Sequence, residues 1–201
     1  MRSRLSGYCI AAMVVASLGT DAALAKRVPT DPVDLTNFGL GPEHAQWLVG
    51  PVTHLASEAE RTEYLQLRED EAAEAFIDEF WGRRGPNTLF PPSGPKYTFE
   101  ARAKEADKTF TEGTHLGRRS DRGTIYILYG SPANIERASS PTKGGPPIEI
   151  WNYLKTAEPG LDGKKPNRRY GFRRDGAVTK LFPLGGLKKP RRTRGRIGEL
   201  D

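Results

Sequence analysis

The stretch that decides the fold is GRRSDRGTIYILYG, residues 117–130, in which a crowded run of charged residues leads directly into an apolar run. From Thr124 the side chains are β-branched, aromatic or aliphatic, which is typical of a buried strand. The sequence Gly-Ser-Pro at residues 130–132 is a turn signal that ends the run. We therefore expect a buried strand over residues 124–130.

Further strands are predicted on the C-terminal side of this stretch. The segment IEIWNYL, residues 148–154, alternates between two faces, with Ile148, Ile150 and Leu154 on one of them. The segment RYGFRRDGAVTKLF, residues 169–182, predicts a hairpin with Asp175-Gly176 as its two-residue turn. A short strand is expected around Ile135.

Helical patterns dominate the N-terminal side. Ser57 and Glu60 form a capping box at the start of a helix or helix pair from Glu58 to Arg84, with a bend near residues 67–69 and Asp70 as a second cap. The apolar face of this span carries Ala73, Phe76, Ile77 and Phe80.

A second amphipathic helix is predicted further along the chain. Thr98 is its expected cap, Gly113 is its end, and Phe99, Ala103, Ala106 and Phe110 form its buried face. Helices first and strands afterwards indicate an α+β fold, with N-terminal helices packed on a small antiparallel sheet.

The two ends of the chain carry biased sequences. Residues 1–25 combine early arginines, a short apolar run and an Ala-Leu-Ala cleavage signal, which predicts a signal peptide cut after Ala25; an uncleaved anchor is the alternative. We expect an irregular lead-in at 26–45, a single domain at 46–186 and a disordered basic tail at 187–201. Export would make the protein periplasmic or secreted.

Most catalytic patterns do not occur in the sequence. Cys9, the only cysteine, falls within the predicted signal peptide, so the mature chain would hold no disulfide and no cysteine-based site. No Gly-x-Ser-x-Gly elbow occurs. His44, His54 and His115 are widely separated, which favours local hydrogen bonding over a metal site. We predict no cofactor and no metal ligands.

The polar residues Ser120, Asp121 and Arg122, with Gly123, form the first candidate site. Short side chains such as serine and aspartate readily bond nearby backbone N–H groups. The planar guanidinium of Arg122 suits a carboxylate partner such as Glu79 or Glu149. The sequence favours a structural clasp between helices and sheet, and the alternative is an acid/base pair of Asp121 with Glu79 or Glu149.

An aromatic and charged set forms the second candidate site. Trp81, Arg84, Glu149, Trp151 and Tyr153 can line a groove for a peptide or glycan. The same aromatic side chains can instead pack beneath the helices. The sequence leaves this choice open.

The basic tail segment KKPRRTRGR, residues 188–196, is a third candidate. It suits an anionic lipid or envelope polymer, or serves only to keep the protein soluble. Nucleic acid is a poorer partner, because no stacking aromatics are interleaved and an exported chain seldom meets it.

Two sequence segments together resemble the GWxTD domain, which is named for a Gly-Trp-x-Thr-Asp motif followed by an Arg-Gly pair and a strand. They are SDRGTIYILYGSP and IEIWNY, and the upstream segments WLVGPVTHLASEAER and AFIDEFWGRR also fit that family, so the resemblance covers about Trp47 to Tyr153. It implies an exported bacterial protein with an α+β domain, in a family of unsettled function. Arg118 stands where the family has tryptophan, and Ser120 stands where it has threonine.

Three functions remain as hypotheses. The first, which the sequence favours, is an interaction or structural module of the bacterial cell envelope, without catalysis or cofactor, whose partner is another envelope protein or a peptide. The second is a hydrolase-like envelope enzyme that uses Asp121 with a second carboxylate. The third is a binder of anionic envelope surfaces through the basic tail.

Overall fold

The computed structural model describes residues 31–85 and 94–185. Five α-helices precede four strands in these parts of the chain: α1 (Val52–Leu55), α2 (Glu58–Gln66), α3 (Asp70–Arg84), α4 (Gly94–Phe110), α5 (Asp121–Tyr129), β1 (Asn134–Ala138), β2 (Ile148–Asn152), β3 (Arg169–Asp175) and β4 (Val178–Phe182). This order confirms the predicted α+β class. The predicted signal peptide at 1–25 and basic tail at 187–201 lie outside the described residues.

The helix pair α2–α3 forms as the capping signals predict. Ser57 Oγ accepts a hydrogen bond from Glu60 N at 3.2 Å, and Glu60 Oε2 accepts one from Ser57 N at 2.8 Å. The predicted bend lies between the end of α2 and the start of α3. The predicted cap at Asp70 is wrong, because this carboxylate accepts a hydrogen bond from Gly41 N at 2.9 Å and lies 3.1 Å from His44 Nδ1.

A first hydrophobic core joins α1, α2 and α3 to the irregular segment before them. Trp47 is partly buried and packs against this core, with ring centroids 4.8 Å from Tyr64 and 4.9 Å from Phe80. Leu35 and Leu48 close the core from the N-terminal side, and both are buried. The segment predicted as an irregular lead-in therefore contributes directly to the packing.

Helix α4 begins at Gly94, earlier than predicted. Thr98 lies inside the helix, where its hydroxyl donates to Gly94 O at 3.3 Å, so its predicted role as a cap is wrong. The predicted buried face is confirmed by Ala103, Ala106 and Phe110.

The segment predicted as a buried strand at residues 124–130 is wrong, because it forms helix α5. A short apolar run does not by itself distinguish a buried strand from a buried helix. Ile125, Ile127 and Leu128 are all buried, so α5 has little polar surface to reveal its helical period. The carbonyl oxygens of its last turn are satisfied by Arg102, whose Nη1 donates to Ile127 O at 2.9 Å.

The four strands form one antiparallel sheet in the order β1-β2-β3-β4. The predicted strand around Ile135 and the predicted hairpin are confirmed. The turn is one residue later than predicted, because Asp175 pairs with Val178 and leaves Gly176-Ala177 as the turn, with Gly176 at a φ of 60°. Strands β1 and β4 are the two edges of the sheet.

A second hydrophobic core lies between the sheet and helices α4 and α5. It contains Phe110, Trp151, Tyr153 and Phe172 together with apolar residues of both helices. Phe99 on α4 contacts both cores. In the described parts of the chain, no helix has the length and apolar character needed to cross a bilayer.

Candidate functional site

Ser120 is the N-cap of α5 and links it to the preceding 3₁₀ turn at residues 117–119. Its Oγ accepts a hydrogen bond from Gly123 N at 3.0 Å and donates one to Gly117 O at 2.7 Å. The side chain is buried, so both hydrogen bonds are shielded from water. This hydroxyl is therefore occupied within the protein.

Two glycines allow the backbone segments around Ser120 to approach one another closely. A Cβ added at Gly117 would lie 1.9 Å from Ala106 O, and one added at Gly123 would lie 1.8 Å from Gly117 O. Neither position has room for any side chain. We call residues 117–123 the motif, and its two glycines therefore fix the distance of the 3₁₀ turn from α4 and from α5.

Arg118 ties the motif to α4. Asp107 Oδ1 accepts a hydrogen bond from Arg118 N at 2.8 Å, and Asp107 Oδ2 accepts one from Arg118 Nε at 2.6 Å. Burial alone would raise the pKa of Asp107, but the hydrogen bonds from Arg118 outweigh it and hold the pKa below its usual range. Position 118, where arginine stands in place of the family tryptophan, thus carries an ion pair.

Arg122 pairs chiefly with Glu112, a residue that the sequence interpretation missed. The Arg122 Nη2 to Glu112 Oε1 distance is 2.7 Å, whereas the predicted partner Glu149 lies 3.8 Å from Nη1. The other predicted partner, Glu79, pairs instead with Arg83 at 2.7 Å on α3. Glu112 lies in a short turn after α4, and no sequence pattern marks it.

The outer edge of β4 is capped by two carboxylates. Thr179 N donates to Glu112 Oε2 at 2.6 Å, and Leu181 N donates to Asp121 Oδ2 at 2.6 Å. These alternate N–H groups are the ones that a further strand would bind. Asp121 therefore blocks an edge of the sheet, and Arg122 holds Glu112 in place for the same purpose.

The predicted aromatic groove residues lie in the interior of the protein. The exposed fractions are 8% for Trp81, 1% for Trp151 and 5% for Tyr153. Trp151 Nε1 donates to Glu149 Oε1 at 2.7 Å, and the Tyr153 hydroxyl donates to Gly130 O at 2.8 Å. Of the two alternatives left open by the sequence, packing beneath the helices describes these side chains and a surface groove does not.

Arg84 joins α3 to α2. Its Nη1 and Nη2 donate to the Glu60 carboxylate at 3.0 and 2.9 Å, and its guanidinium lies 3.4 Å from the centroid of the Phe80 ring. Burial would raise the pKa of Glu60, but hydrogen bonds from Arg84 and Ser57 lower it to about 2. This pair stabilises the helical region and lies apart from the motif.

A cavity of about 520 Å³ lies where the two cores meet, and we call it the seam cavity. Its volume falls within the range of ligand pockets. Most of its wall is apolar or aromatic, with contributions from both cores: Leu35, Val49, Ile125, Leu128, Tyr129 and Tyr170. The motif residues Arg119 and Asp121 form part of the same wall.

Polar groups on the cavity wall include Thr53, His54, Arg119 and Asp121. Thr53 is 2% exposed, and its hydroxyl has no hydrogen-bond partner in the described structure. Burial lowers the pKa of His54 below its usual value, which favours the neutral imidazole near pH 7.

Asp121 is the only carboxylate among the described residues that line this cavity. Neither Glu79 nor Glu149, the predicted acid/base partners, belongs to the wall. Within residues 31–85 and 94–185, no group of three histidine, aspartate or glutamate residues is arranged to hold a metal ion.

Exposed apolar side chains occur on the wall of the seam cavity and next to wall residues in the sequence. Leu181 lines the cavity and is 48% exposed. Val33 and Leu116 follow the lining residues Pro32 and His115 in sequence and are 65% and 45% exposed. We call these three residues the apolar rim.

Comparison with protein families gives a match to this chain. The family model of the GWxTD domain matches residues 42–161, about three-fifths of the chain. The matched range includes most of the first core, α4, the motif, α5, β1 and β2. No curated protein and no solved structure matches the chain.

Proposed function

The chain belongs to the GWxTD domain family, and we propose that it is an exported interaction module of the bacterial cell envelope that binds another envelope polypeptide at the seam cavity. Export in this proposal rests on the signal-peptide pattern of residues 1–25. The binding role rests on the cavity and its surroundings.

The observation that carries the proposal is an apolar cavity with an exposed apolar rim. Small-molecule sites need a cavity, but they do not need exposed apolar side chains such as Leu181 on its wall. Clustered exposed apolar residues are instead typical of surfaces that contact other proteins. A side chain of the partner that enters the cavity would act as an anchor, and the rim would contact the polypeptide on either side of it.

The geometry of the motif disfavours the predicted pair of carboxylates. Asp121 accepts a backbone hydrogen bond from Leu181, and neither Glu79 nor Glu149 lines the cavity. Two carboxylates that act as acid and base must converge on one reacting atom, and these do not. Asp121 instead positions β4, and thereby Leu181, at the mouth of the cavity.

Photo-crosslinking in the native envelope tests this proposal. A photoreactive amino acid is placed at Leu181 in the full-length chain, and the matched control carries it at Ile135. Ile135 is 53% exposed on β1, at the opposite edge of the sheet. We expect a discrete polypeptide adduct from position 181 and none from position 135.

A second variant connects the adduct to the cavity itself. Val49→Trp places a large side chain in the cavity from the half-buried Val49 position on its wall. We expect it to remove the adduct at position 181 while the circular dichroism spectrum stays unchanged. Equal crosslinking at positions 181 and 135, or an adduct that persists in a folded Val49→Trp protein, would count against the seam cavity as the binding site.

A further inference from the structure

The motif contains three arginines with different partners. Arg118 pairs with Asp107 at 2.6 Å, and Arg122 pairs with Glu112 at 2.7 Å. Arg119 is exposed and donates from Nη1 to Gln46 Oε1 at 2.5 Å, and its charge also helps to lower the pKa of Asp107. Among the described residues it is therefore the motif arginine without a carboxylate in hydrogen-bond contact.

Arg119 is also the motif arginine that lines the seam cavity. The nearby carboxylate of Asp121 does not balance it, because Asp121 accepts a hydrogen bond from Leu181 N and occupies the first turn of α5, where the helix dipole favours a negative charge. A guanidinium with unused donors beside an apolar cavity is a suitable partner for a carboxylate.

Thr53 gives a second, independent indication. It lines the same cavity, and its buried hydroxyl has no hydrogen-bond partner in the described structure. Leaving a buried hydroxyl unpaired is unfavourable, and a rotation of this side chain toward the cavity would bring its shielded oxygen to an acceptor. The cavity wall thus combines a cation with an apolar surface, and an unpaired hydroxyl lies just behind it.

We propose that the seam cavity recognises a carboxylate attached to an apolar group, namely the C-terminal residue of the partner polypeptide. This inference rests on the proposed function, because it assumes that the partner is a polypeptide. Arg119 binds the terminal carboxylate of the partner. The apolar side chain of the partner's C-terminal residue occupies the space between Val49, Ile125 and Leu128. Capture of a chain terminus is a recurring form of peptide recognition.

The test uses N-acetyl-phenylalanine, which mimics a C-terminal residue, and N-acetyl-phenylalaninamide, in which the carboxylate is replaced. Binding to the full-length chain is followed by NMR chemical shifts. We expect the acid to bind about tenfold more tightly than the amide, because a charge-assisted hydrogen bond is lost in the amide. In Arg119→Gln the two affinities become equal, whereas the control Arg137→Gln, an exposed residue on β1, keeps the difference.

The outcomes separate this inference from the proposed function. Equal binding of acid and amide to the unmodified protein, with both lost in Val49→Trp, would overturn carboxylate recognition and leave the cavity as a binding site. Acid binding that is unchanged in Arg119→Gln would also overturn it. No binding of the acid at about 10 mM would overturn carboxylate recognition as well, since even weak specific ligands bind in that range. The crosslinking experiment at Leu181 would then decide the proposed function by itself.

Discussion

At the scale of single residues, two helical glycines show how tertiary contacts reverse an intrinsic preference. Gly82 in α3 and Gly123 in α5 both occupy helices, where alanine is favoured over glycine by about 1 kcal/mol. A Cβ at Gly82 would meet nothing within 4 Å, whereas a Cβ at Gly123 would lie 1.8 Å from Gly117 O. The same substitution therefore has opposite consequences at the two positions.

We predict that Gly123→Ala lowers the free energy of unfolding by about 3 kcal/mol or more, because α5 must move away from the 3₁₀ turn. Gly82→Ala, the matched control, should leave stability unchanged or raise it by up to about 1 kcal/mol. Urea unfolding followed by circular dichroism measures both values. Equal effects of the two substitutions would contradict the close approach at Gly123.

At the scale of elements, the β4 edge depends on two separate carboxylates. Glu112 binds Thr179 N, and Asp121 binds Leu181 N. We predict that Asp121→Ala accelerates amide hydrogen exchange of Leu181 about tenfold with little change at Thr179, because one hydrogen bond of about 1 kcal/mol is lost.

The reciprocal variant is the control for that experiment. Glu112→Ala should accelerate exchange at Thr179 and leave Leu181 less affected, as measured by the same NMR experiment. Acceleration at both amides in both variants would show that the hairpin detaches as a unit, which would contradict two independent contacts.

The α2–α3 pair has its own pH dependence through Glu60. The pKa of Glu60 is about 2 in the folded protein and about 4.5 ordinarily, so its contribution to stability is present above pH 4.5 and is lost as the pH falls toward 2. We predict that Glu60→Gln lowers the free energy of unfolding by about 1–2 kcal/mol at pH 7, allowing for solvent screening. The difference from the unmodified protein should disappear near pH 2.

Chemical denaturation across this pH range measures the Glu60 effect. Glu63→Gln, an exposed substitution on the same helix, serves as the control and should change stability by less than about 0.5 kcal/mol at any pH. A destabilisation by Glu60→Gln that is as large at pH 2 as at pH 7 would show that packing, and not the charge, is responsible.

At the scale of the whole molecule, the two cores are coupled through few side chains. Phe99 contacts both cores, and its ring centroid lies 5.2 Å from that of Trp81. The seam cavity occupies part of the same boundary. A binding site at the junction of two cores can form between them without disrupting the packing of either one.

We predict that Phe99→Ala lowers stability by about 2 kcal/mol and uncouples the cores, because a half-buried ring that joins them is removed. Urea unfolding followed by NMR should show α3 and β2 losing protection together in the unmodified protein and at separate urea concentrations in the variant. Tyr97→Ala, on the exposed side of α4, should keep the transitions coincident. Coincident transitions in Phe99→Ala would mean that other contacts suffice to couple the cores.

Local interactions along the sequence determine many of the secondary-structure elements of this protein without reference to tertiary contacts. The capping box at Ser57 and Glu60, the break before Asp70, the buried face of α4 and the hairpin of β3 and β4, though not the exact position of its turn, all follow from hydrogen bonds or periodicity within a few residues. The α+β class follows from the order of these elements. The family resemblance likewise depends only on the sequence.

Only the tertiary structure decided what the stretch at residues 117–130 does. Its apolar residues favour a strand, but the packing of α5 against α4 and the sheet, with Arg102 on its last carbonyl oxygens, stabilises a helix instead. The partners of Arg122 and Asp121 lie on elements distant in sequence, at Glu112 and Leu181. The seam cavity forms where the two cores meet. No local sequence pattern predicts it, because a cavity is a property of the space between elements and not of any one element.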